Sequence, residues 1–332
     1  MNSHKIKTYI LVLGLYIALN SLSSVQAQVA DFAVTPSRID LMIKPNKKVI
    51  MSFKVTNYGD PATFTPRVMN AVADSEEGNL TFSKSFKTPA TFTFQNDRRE
   101  IGEPVFLKTN ETISIPVTLE TGGGEQKDYY YYFVTEMQPR ANHEGKTAAQ
   151  LQPRIGAPII LTLTNIAERE LKGSIAVFRV KPDYSFNLFG REFNLVETGS
   201  AVPVYLSVSN TGSNFITPTG KISVKSQFGP MAEHPVLPRN IYAQSPRLIL
   251  TKSSYERYCP EKDNCRRFSL LLNGFLIGKY DLAASMNLGG DSSKSFKSVS
   301  FIAFPFKPVA ASIFFLAIYV LFRHHKNGRR KK

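Results

Sequence analysis

The sequence is poor in the side chains that carry out metal and acid–base chemistry. It has two cysteines and five histidines in 332 residues, and only His143 and His234 lie between the apolar segments near the two ends. A zinc or other transition-metal centre needs three or four converging ligands, so two isolated histidines and one cysteine pair argue against such a centre. We therefore expect no metal and no cofactor.

The sequence also lacks the motifs of common catalytic and phosphate-binding sites. It contains no Gly-x-Ser-x-Gly elbow, and the Gly-Ser pairs at 199–200 and 212–213 are typical of turns between strands. The glycine run 122–124 precedes no predicted helix whose N-terminus would bind phosphate. We expect a binding protein and not an enzyme.

The first 27 residues have the pattern of a secretory signal peptide. Lys5 and Lys7 precede an apolar run over residues 9–22, and small residues follow at the spacing of a signal-peptidase site. We predict cleavage between Ala27 and Gln28. An uncleaved membrane anchor is the alternative.

The last thirty residues predict a single membrane span. The apolar run 309–322 is preceded by a second apolar stretch, 301–306, with Lys307 in between. A transmembrane helix over 304–322 would have nineteen residues, close to the roughly 20 that cross the hydrocarbon layer. The basic tail 323–332 then marks the cytoplasmic side. We expect a single-pass type I protein of the cell membrane, with its domains outside the cytoplasm and its C-terminus inside. A buried C-terminal helix or strand is the alternative.

The net charge of +15 does not indicate a nucleic acid partner once this topology is applied. The signal peptide, Lys307 and the basic tail carry nine of these positive charges, which leaves +6 on the exposed part. So small an excess fits either attraction to anionic cell-wall polymers or an ordinary solvated surface. We therefore expect no nucleic acid partner.

Between the two ends the sequence predicts a succession of β-strands. Apolar and polar residues alternate over stretches such as 49–55, and no stretch in this region holds a helical period over three turns. The pattern then restarts, and Asn210-Thr-Gly echoes Asn57-Tyr-Gly at the end of a similar alternating strand. We predict an all-β protein of two tandem immunoglobulin-like β-sandwiches, residues 28–167 and 168–303.

Cys259 and Cys265 are the only cysteines, and they lie close together in the sequence. Outside the cytoplasm such a pair is expected to form a disulfide. Because the loop it closes is short, the bond would remove little entropy from the unfolded chain and would act as a local staple. Two free thiols are the alternative.

Four consecutive tyrosines, Tyr129 to Tyr132, occupy one predicted strand. Alternation along a strand turns two of the rings inward and two outward. We expect Tyr130 or Tyr132 to point into the core and one ring to form a tyrosine corner. An outward pair that stacks on a carbohydrate is the alternative.

Several stretches resemble known bacterial surface proteins. Phe32 to Leu41 and Lys54 to Pro61 resemble the opening of a PapD-like immunoglobulin domain. Residues 71–82, and the plan of signal peptide, two domains, one membrane helix and basic tail, resemble the WxL-interacting surface proteins. The resemblance implies PapD-like sandwiches, a first domain that binds peptidoglycan and a second that binds a partner surface protein. It carries no binding residue over to this chain.

Arg38 lies near the start of the first domain. Periplasmic pilus chaperones resemble this domain, and they hold a client's carboxylate with a basic residue at a comparable place, in the cleft between two domains. We expect Arg38 to be a structural or solvated arginine. Binding of a carboxylate is the alternative.

The sequence as a whole predicts a membrane-anchored bacterial cell-surface binding or scaffold protein, whose partner is a cell-wall polymer such as peptidoglycan, a surface protein, or both. The alternatives are a membrane-tethered, chaperone-like assembly factor and an accessory subunit of a transport or secretion complex. Domains of this kind bind through strand edges or end loops. The loop 73–79 and the outward face of the tyrosine strand are therefore candidates, although the ligand-binding residues stay unknown.

Overall fold

The computed structural model describes eight segments of the chain, the last of them with side chains only as far as Leu321: residues 31–73, 79–83, 88–94, 102–138, 154–166, 168–254, 268–289 and 294–329. The predicted signal peptide with its cleavage site at Ala27 and Gln28, His143, and the pair Cys259 and Cys265 lie outside the described residues. What was expected of them stays a prediction.

Ten strands form the first sandwich: β1 (Phe32–Thr35), β2 (Ile39–Ile43), β3 (Lys48–Asn57), β4 (Ala62–Ala73), β5 (Leu80–Phe82), β6 (Ala90–Phe94), β7 (Val105–Leu107), β8 (Thr112–Thr121), β9 (Asp128–Met137) and β10 (Arg154–Leu163). One sheet has the order β1-β3-β8-β6, and the other has the order β2-β10-β9-β4-β5, with β7 also paired to β4. The β2–β10 pair is parallel, and the other pairs are antiparallel. This division of strands between two sheets is that of an immunoglobulin-like sandwich.

The core of the first sandwich lies between its two sheets, as the predicted alternation requires. Met51, Phe53 and Val55 of β3 are buried, while the residues between them are exposed. Phe53 stacks on Phe133 of β9 in the opposite sheet, with 4.2 Å between the ring centroids. Each fully buried side chain of this size contributes about 1.5–3 kcal/mol.

A second set of ten strands follows: β11 (Gly173–Val180), β12 (Tyr184–Leu188), β13 (Arg191–Glu197), β14 (Val202–Asn210), β15 (Thr219–Ser226), β16 (Gly229–Pro235), β17 (Pro246–Leu248), β18 (Leu270–Leu272), β19 (Gly278–Asn287) and β20 (Lys294–Phe304). One sheet has the order β11-β14-β17, with β18 also on β14, and the other has the order β12-β13-β20-β19-β15-β16. These strands enclose a separate core that includes Phe178, Leu206 and Leu282. The predicted all-β class and sandwich fold are confirmed.

The same asparagine turn ends one strand in each sandwich, which accounts for the echo in the sequence. Asn57 and Asn210 are both buried. The Oδ1 of Asn57 accepts from the N–H of Gly59 at 3.0 Å, and the Oδ1 of Asn210 accepts from the N–H of Gly212 at 2.8 Å. Each Nδ2 donates to a backbone carbonyl of its own turn and to carbonyls of a facing segment. The buried amides are therefore satisfied, and each holds several loops together.

The C-terminal helix, α1 (Phe306–Arg329), begins later than predicted. The expected start at Phe304 is wrong, because Phe304 is the last residue of β20 and its carbonyl accepts from the N–H of Thr198. Most of the large apolar side chains of α1 between Val309 and Leu321 are exposed, and Ile318 is half-buried. Among the residues whose side chains are described, no helix is long and apolar enough to cross a membrane.

Candidate functional site

The tyrosine strand β9 has the opposite phase to the one predicted. Tyr129 and Tyr131 point into the first core, whereas Tyr130 and Tyr132 face outward. The hydroxyl of Tyr129 donates to the carbonyl of Glu125 at 3.2 Å, which forms a tyrosine corner. The expectation that Tyr130 or Tyr132 points inward is therefore wrong, because the second sandwich covers this face and leaves β9 buried on both sides.

The outward rings belong to a cluster that joins the two sandwiches, which we call the junction cluster: Ala71, Leu80, Tyr130, Tyr132 and Ile160 of the first sandwich with Phe215 and Tyr242 of the second. The ring of Tyr130 meets that of Tyr242 edge to face, with 4.9 Å between centroids. Its hydroxyl accepts from the N–H of Ala243 at 2.9 Å, and burial raises the pKa of Tyr130. A buried ring with these contacts is not a free platform for a carbohydrate.

Asp128, the first residue of β9, ties the second sandwich to the first. Its carboxylate accepts from the hydroxyl of Thr162 at 2.7 Å, from the side-chain amide of Asn214 at 2.8 Å and from the N–H of Phe215 at 2.5 Å. Its own N–H donates to the carbonyl of Ser213 at 3.0 Å. Burial raises the pKa of Asp128, and the three hydrogen bonds and the nearby Arg169 partly offset that rise. The loop at 213–215 is thus held directly on β9.

Two arginines of different segments flank the ring of Phe215. The guanidinium of Arg169 lies 4.3 Å from the ring centroid, and that of Arg38 lies 5.3 Å from it. Arg169 also donates from Nε to the hydroxyl of Thr162 at 3.3 Å. Cation–π contacts of this kind contribute about 0.5–2 kcal/mol each, more when they are desolvated. The ring of Phe215 therefore helps to hold both arginines at the junction.

Arg38 lies at the exposed rim of the junction cluster, just before β2. Its guanidinium forms a two-pronged ion pair with Asp40, and about a third of each side chain is exposed. When the amide of Asn240 is oriented to donate to Thr217 at 2.8 Å, its oxygen accepts from Nη2 of Arg38 at 2.8 Å. The hydrogen bond with Asp40 raises the pKa of Arg38 above its ordinary value. Arg38 thus has partners within the protein, and about a third of its side chain is exposed to solvent.

The edge of β10 is only half covered. β9 pairs with β10 over Arg154–Thr162, whereas β2 pairs with it over Ile159–Leu163. Within the described part of the chain, no strand is paired with Arg154–Pro158 on the side away from β9, although β1 of the other sheet lies near β10. We call this stretch the free edge.

The orientation of the main chain shows which groups the free edge presents. The N–H of Leu163 donates toward β9, to Lys127, and that of Thr164 donates toward β2, to Ile43. By alternation, the carbonyls of Arg154, Gly156 and Pro158 face the free edge together with two N–H groups, since proline has none. Because Ile39 is opposite Ile159, the free edge ends beside Arg38.

The remaining predicted residues lie elsewhere. His234, on β16, has Nδ1 3.1 Å from the hydroxyl of Ser253, and partial burial lowers its pKa. Within the described ranges, no group of three or more histidine, cysteine, aspartate or glutamate side chains converges as metal ligands do. Asp128 and Phe215, which build the junction, were not anticipated from the sequence. The one available sign was the position of Asp128, an acidic residue directly before the aromatic and apolar run Tyr129–Val134.

No family model matches this sequence, and no curated protein matches it. The similarity to WxL-interacting surface proteins therefore has no support beyond the stretches noted in the sequence. The comparison with solved structures matched 211 chains.

Three of these structures illustrate the comparison. The class 5 fimbriae chaperone CfaA is 11% identical with a TM-score of 0.36, and the match covers 82% of this chain and 100% of that one. The CsuC–CsuE chaperone–tip subunit complex of Acinetobacter baumannii is 12% identical with a TM-score of 0.34, covering 83% and 100%. The Salmonella enterica SafB chaperone with SafA pilin is 12% identical with a TM-score of 0.35, covering 82% and 99%. Structural similarity at TM-scores this low does not support an argument about function.

Proposed function

We propose that this chain binds an extended segment of a partner surface protein at the free edge of β10, as a chaperone-like assembly factor. The observation that carries the proposal is the half-covered edge, Arg154–Pro158, which ends beside the guanidinium of Arg38. A partner strand added here would continue the sheet β2-β10-β9-β4-β5 along its uncovered half. Such strand addition obtains its affinity from main-chain hydrogen bonds and its specificity from alternate side chains.

The free edge offers the groups that this mode of binding requires. Three carbonyls and two N–H groups face outward, and each hydrogen bond they form contributes about 0.5–1.5 kcal/mol net. Ile155 is half-buried and packs against the first core, together with Val34 of β1, which lies near β10. An apolar side chain of the partner would extend this packing between the sheets. Arg154 and Pro158 are residues that discourage indiscriminate pairing at an edge.

Arg38 supplies an anchor at the end of the free edge. A guanidinium binds a carboxylate through two parallel hydrogen bonds, and the terminal carboxylate of a bound strand is a suitable ligand. Asp40 already pairs with this guanidinium, so a partner's carboxylate must share it or displace Asp40. The complexes in the comparison pair a chaperone with a pilin or a tip subunit. For this chain, the proposal depends on its own edge and arginine.

A synthetic peptide tests this proposal directly. A ten-residue peptide of alternating valine and threonine, with two lysines at its N-terminus for solubility, is prepared with a free C-terminal carboxylate and as the amide. Titration against the full chain in detergent should give tighter binding for the free acid, by about tenfold or more, since a hydrogen bond to a charged group contributes about 1.5–3 kcal/mol.

Variants at the anchor sharpen the test. Arg38→Ala should abolish the preference for the free acid, and Arg38→Lys should keep part of it, because the charge remains without the two-pronged geometry. Asp40→Asn should strengthen binding of the free acid by removing the competing carboxylate. Equal affinity for acid and amide, or no binding of either, would contradict the proposal. Binding to purified peptidoglycan that is indifferent to both residues would favour the wall-binding alternative.

We also propose that α1 attaches the chain to a membrane, with the sandwiches outside the cytoplasm. The support is the exposure of the large apolar side chains of α1, which water does not favour, and the basic residues that follow in the sequence. Protease added to intact cells should then digest the sandwiches and spare a fragment that carries the basic tail. Cleavage of the tail from outside would contradict this orientation.

A further inference from the structure

One end of the second sandwich gathers exposed apolar side chains from three separate segments. Phe228 and Phe275 are each 78% exposed, Phe304 is 47% exposed and Ile277 is 40% exposed. They come from the turn between β15 and β16, the loop before β19 and the end of β20. We call this surface the helix-side end.

Strand register places these three segments together. Ser226, which ends β15, is opposite Tyr280 of β19, and the N–H of Gln227 donates to the carbonyl of Lys279 at 2.9 Å. Gly278, which begins β19, is opposite Ala303 near the end of β20. The turn that carries Phe228 therefore lies beside the start of β19 and the loop that carries Phe275, and the same loop adjoins the end of β20, where Phe304 lies.

The helix α1 leaves the sandwich from this same end. The ring of Phe306 meets that of Tyr184 at 5.1 Å between centroids, and the N–H of Lys307 donates to the carboxylate of Glu197 at 3.0 Å. The exposed rings thus lie at the end of the sandwich from which α1 leaves, and most of the large apolar side chains of α1 are exposed as well.

The charges at the helix-side end suit the headgroup region of a lipid bilayer. Lys225, Lys279 and Lys307 are exposed there. Three acids lie near these lysines. Glu197 is buried and bonds the start of α1, and Asp183 accepts from the N–H of Glu197 at 2.8 Å. Asp281 pairs with Lys279 at 3.1 Å and neutralises it, so the positive charge offered to headgroups comes from Lys225 and Lys307. Aromatic rings beside lysines are the usual composition of surfaces that sit at the boundary between headgroups and acyl chains.

We propose that the helix-side end binds the bilayer surface, with Phe228 and Phe275 inserted among the lipid headgroups around the base of α1. The inference rests on the proposed membrane attachment of α1 and adds to it a defined orientation of the second sandwich. Protruding rings on loops, at the end from which an apolar helix leaves, match a fluid lipid surface better than the concave site that a small-molecule ligand would require.

The sequence contains no tryptophan, so an introduced tryptophan is the only source of tryptophan fluorescence and can report on insertion into a bilayer. Phe228→Trp and Phe275→Trp each introduce a single reporter, and Phe106→Trp on β7 of the first sandwich is the matched control, since Phe106 is 58% exposed. Each full-length variant is reconstituted into vesicles of phosphatidylcholine and phosphatidylglycerol, with or without bromine on the acyl chains. Bromine quenches tryptophan at close range, so it reports insertion into the bilayer.

The expected result is quenching of the Phe228→Trp and Phe275→Trp reporters by about twofold or more, with no change for the control, because interfacial insertion reaches about 5–10 Å into the boundary region. If the chain fails to float with the vesicles, both the attachment and this inference are wrong. If it floats but neither reporter is quenched, the attachment stands and this inference is overturned. A change that depends on protein concentration without lipid would assign the surface to a second copy of the chain and would also overturn it.

Discussion

Replacing Asp128 with alanine tests whether the junction couples the two sandwiches. The carboxylate accepts from Thr162, Asn214 and Phe215, and the last two belong to the second sandwich. The substitution removes the carboxylate that accepts all three hydrogen bonds and leaves both hydrophobic cores intact. The loop at 213–215 then keeps only the backbone bond between the N–H at 128 and the carbonyl of Ser213, and the ring of Phe215 is held less firmly beside Arg38 and Arg169.

The magnitude follows from the hydrogen bonds that are lost. A hydrogen bond to a charged group contributes about 1.5–3 kcal/mol, so three of them give roughly 5–9 kcal/mol before any offset. Burial of the ionised carboxylate, which raises its pKa, takes back part of that gain, and water can reach the vacated donors. We expect Asp128→Ala to lower the free energy of unfolding by about 3 kcal/mol.

Calorimetry of the full chain in detergent measures both stability and coupling. The wild type should unfold in one transition whose calorimetric and van't Hoff enthalpies agree. Asp128→Ala should split this transition in two. Asp281→Ala is the control, because it removes an exposed ion pair with Lys279 that contributes about 0–1 kcal/mol. A single unshifted transition in Asp128→Ala would refute the view that the junction couples the sandwiches.

Three further outcomes are expected. Asn57→Ala should lower the free energy of unfolding by about 2–3 kcal/mol, because it leaves buried backbone groups unpaired, whereas Thr56→Ala on the exposed face should cost under about 0.5 kcal/mol in the same denaturant titration. Because the pKa of Asp128 is raised in the folded state, the part of its contribution that depends on protonation is fully present below the unfolded pKa of about 3.9 and is lost as pH rises through the folded value, while the hydrogen bonds to the ionised carboxylate remain; Asp128→Asn should flatten that slope. The peptide that contains Cys259 and Cys265 should be two hydrogens lighter without reduction, and Cys259→Ser should cost no more than about 2 kcal/mol; an unchanged mass would show free thiols.

The strand pattern was predictable where one face of a strand meets the core and the other meets water. In β3, alternation of Phe53 and Val55 with polar neighbours fixes which side faces inward. The repeated asparagine turn was readable for a similar reason, since a buried amide with fixed partners requires the same residues at Asn57 and Asn210.

The junction was not predictable, because its residues do not alternate between apolar and polar. Four consecutive tyrosines in β9 give no such alternation, and both faces of that strand are buried. Phe215 follows a turn in the second sandwich, and its contact with the first depends on how two separate cores dock. The way the two sandwiches dock depends on tertiary geometry, which the periodicity of a single strand does not report.

Hydrogen exchange at the edge of β10 tests the central claim most directly. The full chain is incubated with the free-acid peptide, and exchange of individual backbone amides is followed by mass spectrometry with electron-based fragmentation. Strand addition predicts that the N–H of Gly156, which faces the free edge, becomes protected, while that of Ala157, which faces β9, stays as slow as before. Peptide binding that leaves exchange at Gly156 unchanged would contradict the account.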